Sequence, residues 1–461
     1  MKIGIEDLKK LSKSRTYGKK SSGIVFKGVS IDSRKCKKTD LFFAIKGQKH
    51  DGHDFVKDVL KDGTKGAVVN RRWFGKLSAK EGKFFNKYLL IAVPDTVKSL
   101  GELSSIHRNK FLVPVIAVGG SNGKTTAKEF IAHVLSKKFN VLKTEANYNN
   151  EFGVPLTLFR LNRKHEICVI EVGANHFGEI AYLCGIVRPQ FGLITNIGRE
   201  HLEFFKNLKG VAKAECEMLD YLFMNYGAFF LNRDDKYLIE KAKKLGIKHY
   251  SFGKSGNVDV KGKIMKFDGF NPDIEIKYGR DKLTCKLKSI GSQSFEAALC
   301  GSAVGFYFGV RPVQIKKALG EVELNKNKRN NLKYKNGVWI IDDTYNSNPD
   351  SLKMALENVK RFKVKGKKHL VLSDMLELGK SSSKEHMESG RLIKKLGFKN
   401  LYAYGEEAYN IFKGAKGVKN NYFFSDKNTL IEFLKLNIKK EDLILIKGSR
   451  SMKMEEVTEA I

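Results

Sequence analysis

Short apolar runs rich in β-branched residues recur along this chain from about residue 111. Each is followed by a glycine or polar cluster and then by a helix-like segment. This alternation is typical of parallel β-sheets. In such sheets ligands bind beyond the carboxyl ends of the strands, so the residues directly after each run are candidates for function. The runs are Val115–Val118, Ile167–Ile170, Gly192–Thr195, Val338–Ile341, His369–Leu372, Leu401–Tyr404 and Leu443–Ile446.

The chain divides into three candidate domains. Its 461 residues are enough for about three domains of roughly 150 residues each. Shorter strand-like pieces precede the helix-like segment Val97–Asn109, and the polar stretch Asn325–Asn331 interrupts the later alternation. We therefore predict an α/β fold with a small N-terminal α/β domain (1–109), a central P-loop domain with a mostly parallel sheet (110–326) and a C-terminal Rossmann-like domain (327–461). The N-terminal pieces are Gly23–Ile31, Leu41–Lys46, Ala67–Val69 and Leu89–Val93.

The formal net charge of +35 raises the question of nucleic-acid binding. The lysines are spread in short runs along the whole chain, without a basic stripe interleaved with aromatic residues. This dispersion favours a solvated lysine-rich surface over a nucleic-acid groove, although a positive field would also attract polyanionic small substrates. We expect no nucleic-acid partner.

Neither secretion nor membrane insertion is indicated. The first twenty residues contain no uninterrupted apolar segment, and no later stretch reaches the roughly 18 apolar residues of a membrane helix. The six cysteines form no CxxC pair, so neither a zinc site nor a disulfide framework is expected. These features predict a cytoplasmic protein with reduced thiols, and we expect a monomer.

A phosphate-binding loop follows the first central strand, in the segment VIAVGGSNGKTTAKEF. A buried strand, a glycine-rich turn and a helix start let backbone N–H groups surround an anion. Lysine can bridge the β- and γ-phosphates, and the following threonine can coordinate Mg²⁺. Val118 stands where the common GxxxxGK[ST] spacing has glycine, so the loop is the shorter GxxGKTT. The candidate nucleotide-binding residues are Gly120, Ser121, Asn122, Gly123, Lys124, Thr125 and Thr126.

Two further candidates follow neighbouring central strands. Glu171 ends the run EICVI, and His201 lies after the run GLITN, with Glu203 two residues later. Hard cations prefer oxygen ligands and accept one or two from protein, so Glu171 is a natural Mg²⁺ ligand, although a lone acid at a strand end can also be structural. Because His201 follows a strand at the same edge of the sheet as Glu171, a functional role for this histidine is favoured over a structural one.

The chain resembles the Mur ligases over nearly its whole length. The segments that carry the resemblance, in order, are GSNGKTT, TEANYNNEFGVPLTL, EVGANHFGEI, TNIGREHLE, DDTYNSNP, DMLELG and KGSRSMKME. The stretch SIDSRKCKKTDLFFAIKGQKHDGHDF is similar to the UDP-substrate domain of that family. The resemblance implies an ATP- and Mg²⁺-dependent ligase that joins D-alanyl-D-alanine to UDP-N-acetylmuramoyl-tripeptide through an acyl phosphate, in peptidoglycan synthesis.

The resemblance also implies roles for individual residues. Lys124 and Thr125 would hold phosphates and a first Mg²⁺, and Glu171 and His201 would hold Mg²⁺ between the γ-phosphate and the acceptor carboxylate. The remaining implied contacts are Asn149 and Asn150 to the muramoyl peptide or phosphate region, Arg329 and Asp343 to ATP, Ser33 and Arg34 to the uridine diphosphate, and Tyr345, Asn346 and Asn348, with the loop Asp374–Gly379 and KGSRS, to the dipeptide side.

Two stretches depart from the family. Relatives carry a helix similar to GVAKAKGE, whose second lysine forms a carbamate that ligates Mg²⁺; this chain has GVAKAECE, with Glu215 at that position. A glutamate already has the negative oxygens that the lysine must acquire, so we count Glu215 among the catalytic candidates with Lys124, Glu171 and His201. In the adenine-binding stretch, Ser294 and Ala297 replace asparagines and Gln293 replaces a histidine, so the hydrogen bonds to adenine must change or be lost.

Two alternatives stay open at this point. One is another amide ligase of the same superfamily, of the diamino-acid-adding or folylpolyglutamate type. The N-terminal segment argues against the folate enzyme, which has no UDP-sugar domain, and the chain has no DNPR motif typical of the diamino-acid enzyme. The other is a nucleotide-binding homologue without catalysis, which Glu215 and the altered adenine stretch suggest and which the presence of Lys124, Thr125, Glu171 and His201 opposes.

Overall fold

The computed structural model describes residues 1–18, 23–323 and 331–461. Its strands are β1 Ile3–Gly4, β2 Arg15–Gly18, β3 Val25–Phe26, β4 Gly28–Ser30, β5 Asp40–Phe43, β6 Gly66–Asn70, β7 Leu89–Val93, β8 Val115–Gly119, β9 Val141–Lys143, β10 Ile167–Glu171, β11 Phe191–Ile194, β12 Ala228–Asn232, β13 His249–Gly253, β14 Val260–Asp268, β15 Asn271–Tyr278, β16 Asp281–Lys286, β17 Asn331–Lys335, β18 Val338–Asp343, β19 Lys368–Ser373, β20 Asn400–Tyr404, β21 Asn420–Phe424 and β22 Leu443–Lys447.

The α-helices are α1 Ile5–Lys9, α2 Val56–Lys61, α3 Arg71–Phe74, α4 Ala79–Phe85, α5 Thr96–Arg108, α6 Lys124–Leu135, α7 Gly153–Leu158, α8 Glu179–Val187, α9 Leu202–Phe205, α10 Leu208–Glu215, α11 Glu217–Met224, α12 Lys236–Leu245, α13 Ser292–Tyr307, α14 Pro312–Glu321, α15 Pro349–Arg361, α16 Ser382–Lys395, α17 Ala408–Gly414, α18 Lys427–Asn437 and α19 Glu455–Ala460. In the described ranges, no helix is long and apolar enough to cross a membrane.

The seven apolar runs from residue 115 onward are strands, as predicted, with ends that differ by at most two residues. The predicted piece Gly23–Ile31 is instead two strands, because its halves have different partners: β3 pairs antiparallel with β1, and β4 pairs parallel with β5. The predicted helix Val97–Asn109 is α5, which begins one residue earlier. The Asp95 carboxylate caps this helix by accepting hydrogen bonds from the N–H groups of Val97 and Lys98.

The chain forms two compact units. The first contains residues 1–117, 139–173 and 181–190, and the second contains residues 118–138, 174–180 and 191–461. In the first unit, a five-stranded sheet has the order β2-β7-β6-β5-β4, and only β2 runs antiparallel to its neighbour. Strands β9 and β10 pair in parallel in the same unit. Buried aliphatic and aromatic side chains, including Phe42 and Phe43, cover both faces of the five-stranded sheet.

The second unit contains two sheets. Strands β11, β12, β13 and β14 pair in parallel, and β14, β15 and β16 continue as antiparallel neighbours. The other sheet has the order β17-β18-β22-β19-β20-β21, in which only β17 is antiparallel. One apolar core joins α9 and α10, through Leu202, Phe205 and Val211, to Leu352 and Leu370 beneath the second sheet. The fold class is α/β with mostly parallel sheets, as predicted.

Candidate functional site

The phosphate-binding loop connects β8 to α6 in the second unit, and two of its glycines are structurally required. Gly120 has φ +112°, and a Cβ there would lie 2.3 Å from Oγ1 of Thr195, which leaves no room for a side chain. Gly123 has φ +80° and directly precedes Lys124, the first residue of α6. The loop therefore brings backbone N–H groups to the start of a helix, where they can bind phosphate.

The segment after β11 holds this loop in shape. The N–H of Ser121 donates to the carbonyl of Asn196 at 2.9 Å, and the Ser121 hydroxyl accepts from the N–H of Gly198 at 2.8 Å. The carbonyl of Asn122 accepts from Thr195 Oγ1 at 2.7 Å and from Asn196 Nδ2 at 2.9 Å. Ser121 and Asn122, both candidates for nucleotide binding, thus fix the path of the loop through these bonds.

Lys124 points back into the loop. Its ammonium group donates to the carbonyl of Gly120 and to the carbonyl of Ser121, the second at 3.4 Å, and lies 3.4 Å from Oε2 of Glu200. Thr125 follows at the first turn of α6 and is buried. This places a cation and a hydroxyl at the helix start, the arrangement that the sequence predicts for binding nucleotide phosphates.

Two buried carboxylates lie beside Lys124. Oε2 of Glu215 accepts a hydrogen bond from the N–H of Gly120 at 2.7 Å. Burial raises the pKa of Glu215 to about 7, against the opposing effect of Lys124 and with a further increase from Glu200. Burial also raises the pKa of Glu200, against the attraction of Lys124 and His201. Glu200 was not among the predicted residues; its only signal in the sequence is an acidic side chain directly before His201 after a strand.

These raised pKa values predict a pH-dependent effect of Glu215→Gln on stability. The amide keeps an acceptor for the Gly120 N–H but is never charged, so the cost of a buried charge disappears. Because the folded-state pKa of Glu215 is about 7, wild type loses stability as the pH rises from about 4.5 through 7. We expect the ligand-free variant to be more stable by up to about 3 kcal/mol near pH 8, with little difference near pH 5. Urea unfolding at both pH values measures the free energy of unfolding of the two proteins. A difference between variant and wild type that does not change with pH would contradict the prediction.

His201 faces both this cluster and a loop of the C-terminal sheet. Its Nδ1 lies 2.5 Å from Oε2 of Glu377, and its Nε2 lies 4.0 Å from Oε2 of Glu200. Burial favours the neutral ring, but the carboxylates of Glu377 and Glu200 outweigh it and raise the pKa of His201. His201 has φ +48°, an uncommon conformation for a residue with a side chain.

Glu171 ends β10 in the first unit and is buried. Its Oε1 accepts a hydrogen bond from Nδ2 of Asn149 at 3.0 Å, and its N–H donates to Oγ1 of Thr144 at 2.9 Å. The structure thus brings together two predicted residues, Glu171 and Asn149. Oδ1 of Asn150 instead accepts from the N–H groups of Phe152 and Gly153, directly before α7.

The predicted uridine diphosphate residues lie in a short 3₁₀ helix, Ser33–Lys35, also in the first unit. The Arg34 guanidinium is largely exposed and donates to both carboxylate oxygens of Asp32, at 2.9 and 3.0 Å. Since an exposed ion pair of this kind is worth little, Arg34 can exchange this partner for an anionic ligand.

The predicted C-terminal residues lie at the end of β18 and the start of α15. Oδ2 of Asp343 accepts from Nζ of Lys447 at 2.7 Å, and the same ammonium donates to the carbonyl of Asn346 at 2.8 Å. Asn348 caps α15, and its Nδ2 donates to Oδ1 of Asn122 in the phosphate loop at 2.9 Å. Tyr345, which lies between Asp343 and Asn348 in the chain, is half-buried. Arg329 lies outside the described residues.

The departing adenine-binding stretch forms the start of α13. The Ser294 hydroxyl donates to the carbonyls of Ser289 and Gly291, at 3.0 and 2.7 Å. Oε1 of Gln293 accepts from Nδ2 of Asn358 at 2.6 Å. Ala297 is buried. The Ser294 hydroxyl and the Gln293 side-chain oxygen are therefore engaged within the protein.

An ion-pair network that the sequence did not suggest lies next to the site. The guanidinium of Arg199 contacts Asp350 at 2.5 Å and Glu385 at 3.0 Å, which lie at the starts of α15 and α16. The N–H of Arg199 also donates to Oδ2 of Asp350 at 2.6 Å. The segment that carries Glu200 and His201 is thereby attached to the starts of α15 and α16.

The donor set beside the loop suits Mg²⁺. Glu200 and Glu215 offer carboxylate oxygens and Thr125 a hydroxyl, and the two raised pKa values mark a place where a divalent cation would relieve the cost of buried negative charge. In the described part of the chain, no group of three or more His, Cys, Asp or Glu side chains forms a ready metal site. Mg²⁺ commonly takes one or two carboxylates plus substrate phosphates, which matches this arrangement.

Three family models match the chain. Residues 25–74 match the Mur ligase family catalytic domain, residues 118–305 the Mur ligase middle domain, and residues 328–450 the glutamate ligase domain of Mur ligases. The second match begins at the end of β8 and contains the phosphate loop, His201 and Glu215.

Relatives that match nearly the whole chain support the same family assignment. The chain is 32% identical over 438 residues to the UDP-N-acetylmuramoyl-tripeptide–D-alanyl-D-alanine ligase of Bacillus subtilis (strain 168), covering 94% of this chain and 92% of that protein. Its structure is similar to MurF from Acinetobacter baumannii (TM-score 0.88, 28% identity, 100% and 98% of the two chains) and to MurF ligase from Thermotoga maritima in complex with ADP (TM-score 0.82, 28% identity, 94% and 96%). The chain belongs to the Mur ligase family.

Proposed function

We propose that this protein joins D-alanyl-D-alanine to UDP-N-acetylmuramoyl-tripeptide and converts ATP to ADP and phosphate as the amide bond forms. The observation that carries the proposal is a relative named for this reaction that matches 94% of the chain. The phosphate loop with Lys124 and its two required glycines supports ATP as the energy source. A solved relative with ADP bound supports the same nucleotide.

The first step is attack of the tripeptide's terminal carboxylate on the γ-phosphorus of ATP. The P–O bond to ADP breaks, and an acyl phosphate forms. Lys124 offsets negative charge on the transferring phosphoryl group, and the loop N–H groups bind the phosphates in place. Thr125, with Glu200 and Glu215, would hold a first Mg²⁺ beside the loop, and Glu171 and His201 would hold Mg²⁺ on the acceptor side. The metal would supply positive charge between two anionic reactants.

The second step is attack of the free amine of D-alanyl-D-alanine on the carbonyl carbon of the acyl phosphate. The amine loses a proton, phosphate leaves, and the amide bond remains. Holding both substrates at one place accounts for much of the rate. The proposed contacts are Asp343 and Arg329 to ATP, Asn149 and Asn150 to the muramoyl peptide or phosphate region, Ser33 and Arg34 to the uridine diphosphate, and Tyr345, Asn346 and Asn348 to the dipeptide.

We further propose three functional domains, residues 1–109, 110–326 and 327–461. Each family model lies within one of these ranges. A cytoplasmic monomer that binds no nucleic acid would suit this role, since ATP and a UDP-linked sugar are cytoplasmic substrates and the lysines are spread along the chain.

The proposal predicts phosphate release from ATP and Mg²⁺ only when both UDP-muramoyl tripeptide and D-alanyl-D-alanine are present. The reason is that the acyl phosphate persists until an amine attacks it. A coupled phosphate assay, with mass spectrometry of the pentapeptide product, measures this. Phosphate release with UDP-muramoyl dipeptide and a diamino acid would instead indicate the diamino-acid-adding reaction. No turnover with any acceptor would indicate a non-catalytic nucleotide-binding protein.

A further inference from the structure

The loop after β19 contacts His201 directly. This loop, Asp374–Gly379, brings the Glu377 carboxylate to 2.5 Å from Nδ1 of His201. The carbonyl of Glu377 also accepts a hydrogen bond from the N–H of Glu203 at 3.0 Å. A side-chain contact and a backbone contact thus join the same two segments.

The loop is fixed by residues that follow it in the chain. The N–H of Met375 donates to Nε2 of His386 at 2.9 Å, and the N–H of Leu376 donates to Oγ of Ser449 at 2.8 Å. Oδ1 of Asp374 accepts from the N–H of Ala408 at 2.7 Å, and Met375 and Leu378 are buried. Glu377 is therefore presented to His201 from a rigid support.

Both contacting residues adopt left-handed backbone conformations, with φ +48° at His201 and φ +62° at Glu377. This conformation is strained for a residue with a side chain, and it persists only where the surrounding contacts hold it. The contacts of Glu377 with His201 and with the N–H of Glu203 hold both residues in this conformation. The imidazole is consequently held in one orientation, with Nε2 directed at Glu200, whose carboxylate lies 3.4 Å from Lys124.

We propose that Glu377 is a positioning residue: its carboxylate, 2.5 Å from Nδ1 of His201, fixes the direction of the imidazole, with Nε2 on the side of the Lys124 and Glu200 cluster. A carboxylate on one ring nitrogen selects the tautomer and orients the other nitrogen for its own task. The inference rests on the proposed function, in which His201 acts beside the γ-phosphate. It adds that a residue 176 positions later in the chain sets the direction of that histidine.

The test compares Glu377→Ala, Glu377→Gln and wild type, with Glu406→Ala as the matched control. Glu406 is an exposed glutamate after the neighbouring strand β20. The Gln side-chain oxygen can still accept from Nδ1–H, so Glu377→Gln is expected to retain kcat within roughly fivefold, whereas Glu377→Ala loses roughly 10- to 100-fold with little change in KM for ATP. Equal kcat for Glu377→Ala and wild type, or equal losses in the Ala and Gln variants, would overturn the proposal.

A second readout does not depend on activity. In ¹⁵N-histidine-labelled full-length protein, recorded above the titration of the ring, we expect the His201 signals to show protonated Nδ1 in wild type and Glu377→Gln. In Glu377→Ala we expect a shift toward protonated Nε2. His201→Gln assigns the signals. An unchanged tautomer in Glu377→Ala would reject the inference even in an active enzyme, whereas absence of turnover in wild type with a clear tautomer shift would reject the proposed function alone.

Discussion

Lys124→Arg is expected to lower kcat for phosphate release roughly 10²- to 10³-fold while the protein stays folded. The Lys124 ammonium is compact and lies inside the loop, within reach of the carbonyls of Gly120 and Ser121. A guanidinium is planar and larger, so it cannot take the same position between the loop and the γ-phosphate. The charge that offsets phosphoryl transfer would then be displaced.

Arginine is the informative replacement because Lys124 is also the cation beside Glu200 and Glu215. Lys124→Met would leave two buried carboxylates without it, so lower activity could follow from instability alone. The control is Lys243→Arg, an exposed lysine on α12. Steady-state kinetics and thermal unfolding of wild type, Lys124→Arg and Lys243→Arg measure the effect. A kcat for Lys124→Arg within threefold of wild type would show that the lysine does not act on phosphate.

Glu215→Ala is expected to reduce kcat by at least roughly 10²-fold. Glu215 is buried and accepts from the N–H of Gly120, so it places its carboxylate oxygens directly beside the phosphate loop. If these oxygens are needed as a charge for Mg²⁺, Glu215→Gln should lose as much activity as Glu215→Ala although it keeps the shape and the hydrogen bond. Glu240→Ala, an exposed glutamate on α12, is the control.

Glu215→Lys distinguishes the carboxylate from other roles of this position. It restores the residue type that the family resemblance implies here, a lysine that becomes a carbamate. We expect this variant to be inactive in buffer depleted of carbon dioxide and to recover with added bicarbonate, whereas wild type is indifferent to bicarbonate. Bicarbonate-dependent activity of wild type, or full activity of Glu215→Gln, would show that Glu215 does not stand in for the carbamate.

Local information in the sequence is sufficient for the seven predicted strands from residue 115 onward and for the loop. The runs around Val115 and Ile167 are strands because buried β-branched segments of this length have few other stable conformations. Gly120 and Gly123 were identifiable because a tight turn before a helix requires φ values that other residues avoid. Lys124, His201 and Glu215 were likewise recognisable from their places after strands or within a family segment, and the structure brings all three near Glu200.

Contacts between segments far apart in the chain could not be predicted in this way. The N-terminal piece Gly23–Ile31 is two strands because β1 and β5 offer different partners, which no local pattern reveals. Ser294, which lies in the adenine-binding stretch of the family, donates its hydroxyl to the backbone carbonyls of Ser289 and Gly291, just before α13. Both outcomes depend on which neighbours the folded chain supplies.

The sequence by itself therefore determined the α/β class, the phosphate loop and the residue types available for phosphoryl transfer, because periodicity and turn chemistry act over a few residues. Only the tertiary structure decided that Glu200 lies beside Lys124, that Asp350 and Glu385 bind Arg199, and that Glu377 faces His201. The physical reason is that pKa, charge pairing and side-chain orientation depend on distance in space and on burial, and both are set by packing of the whole second unit.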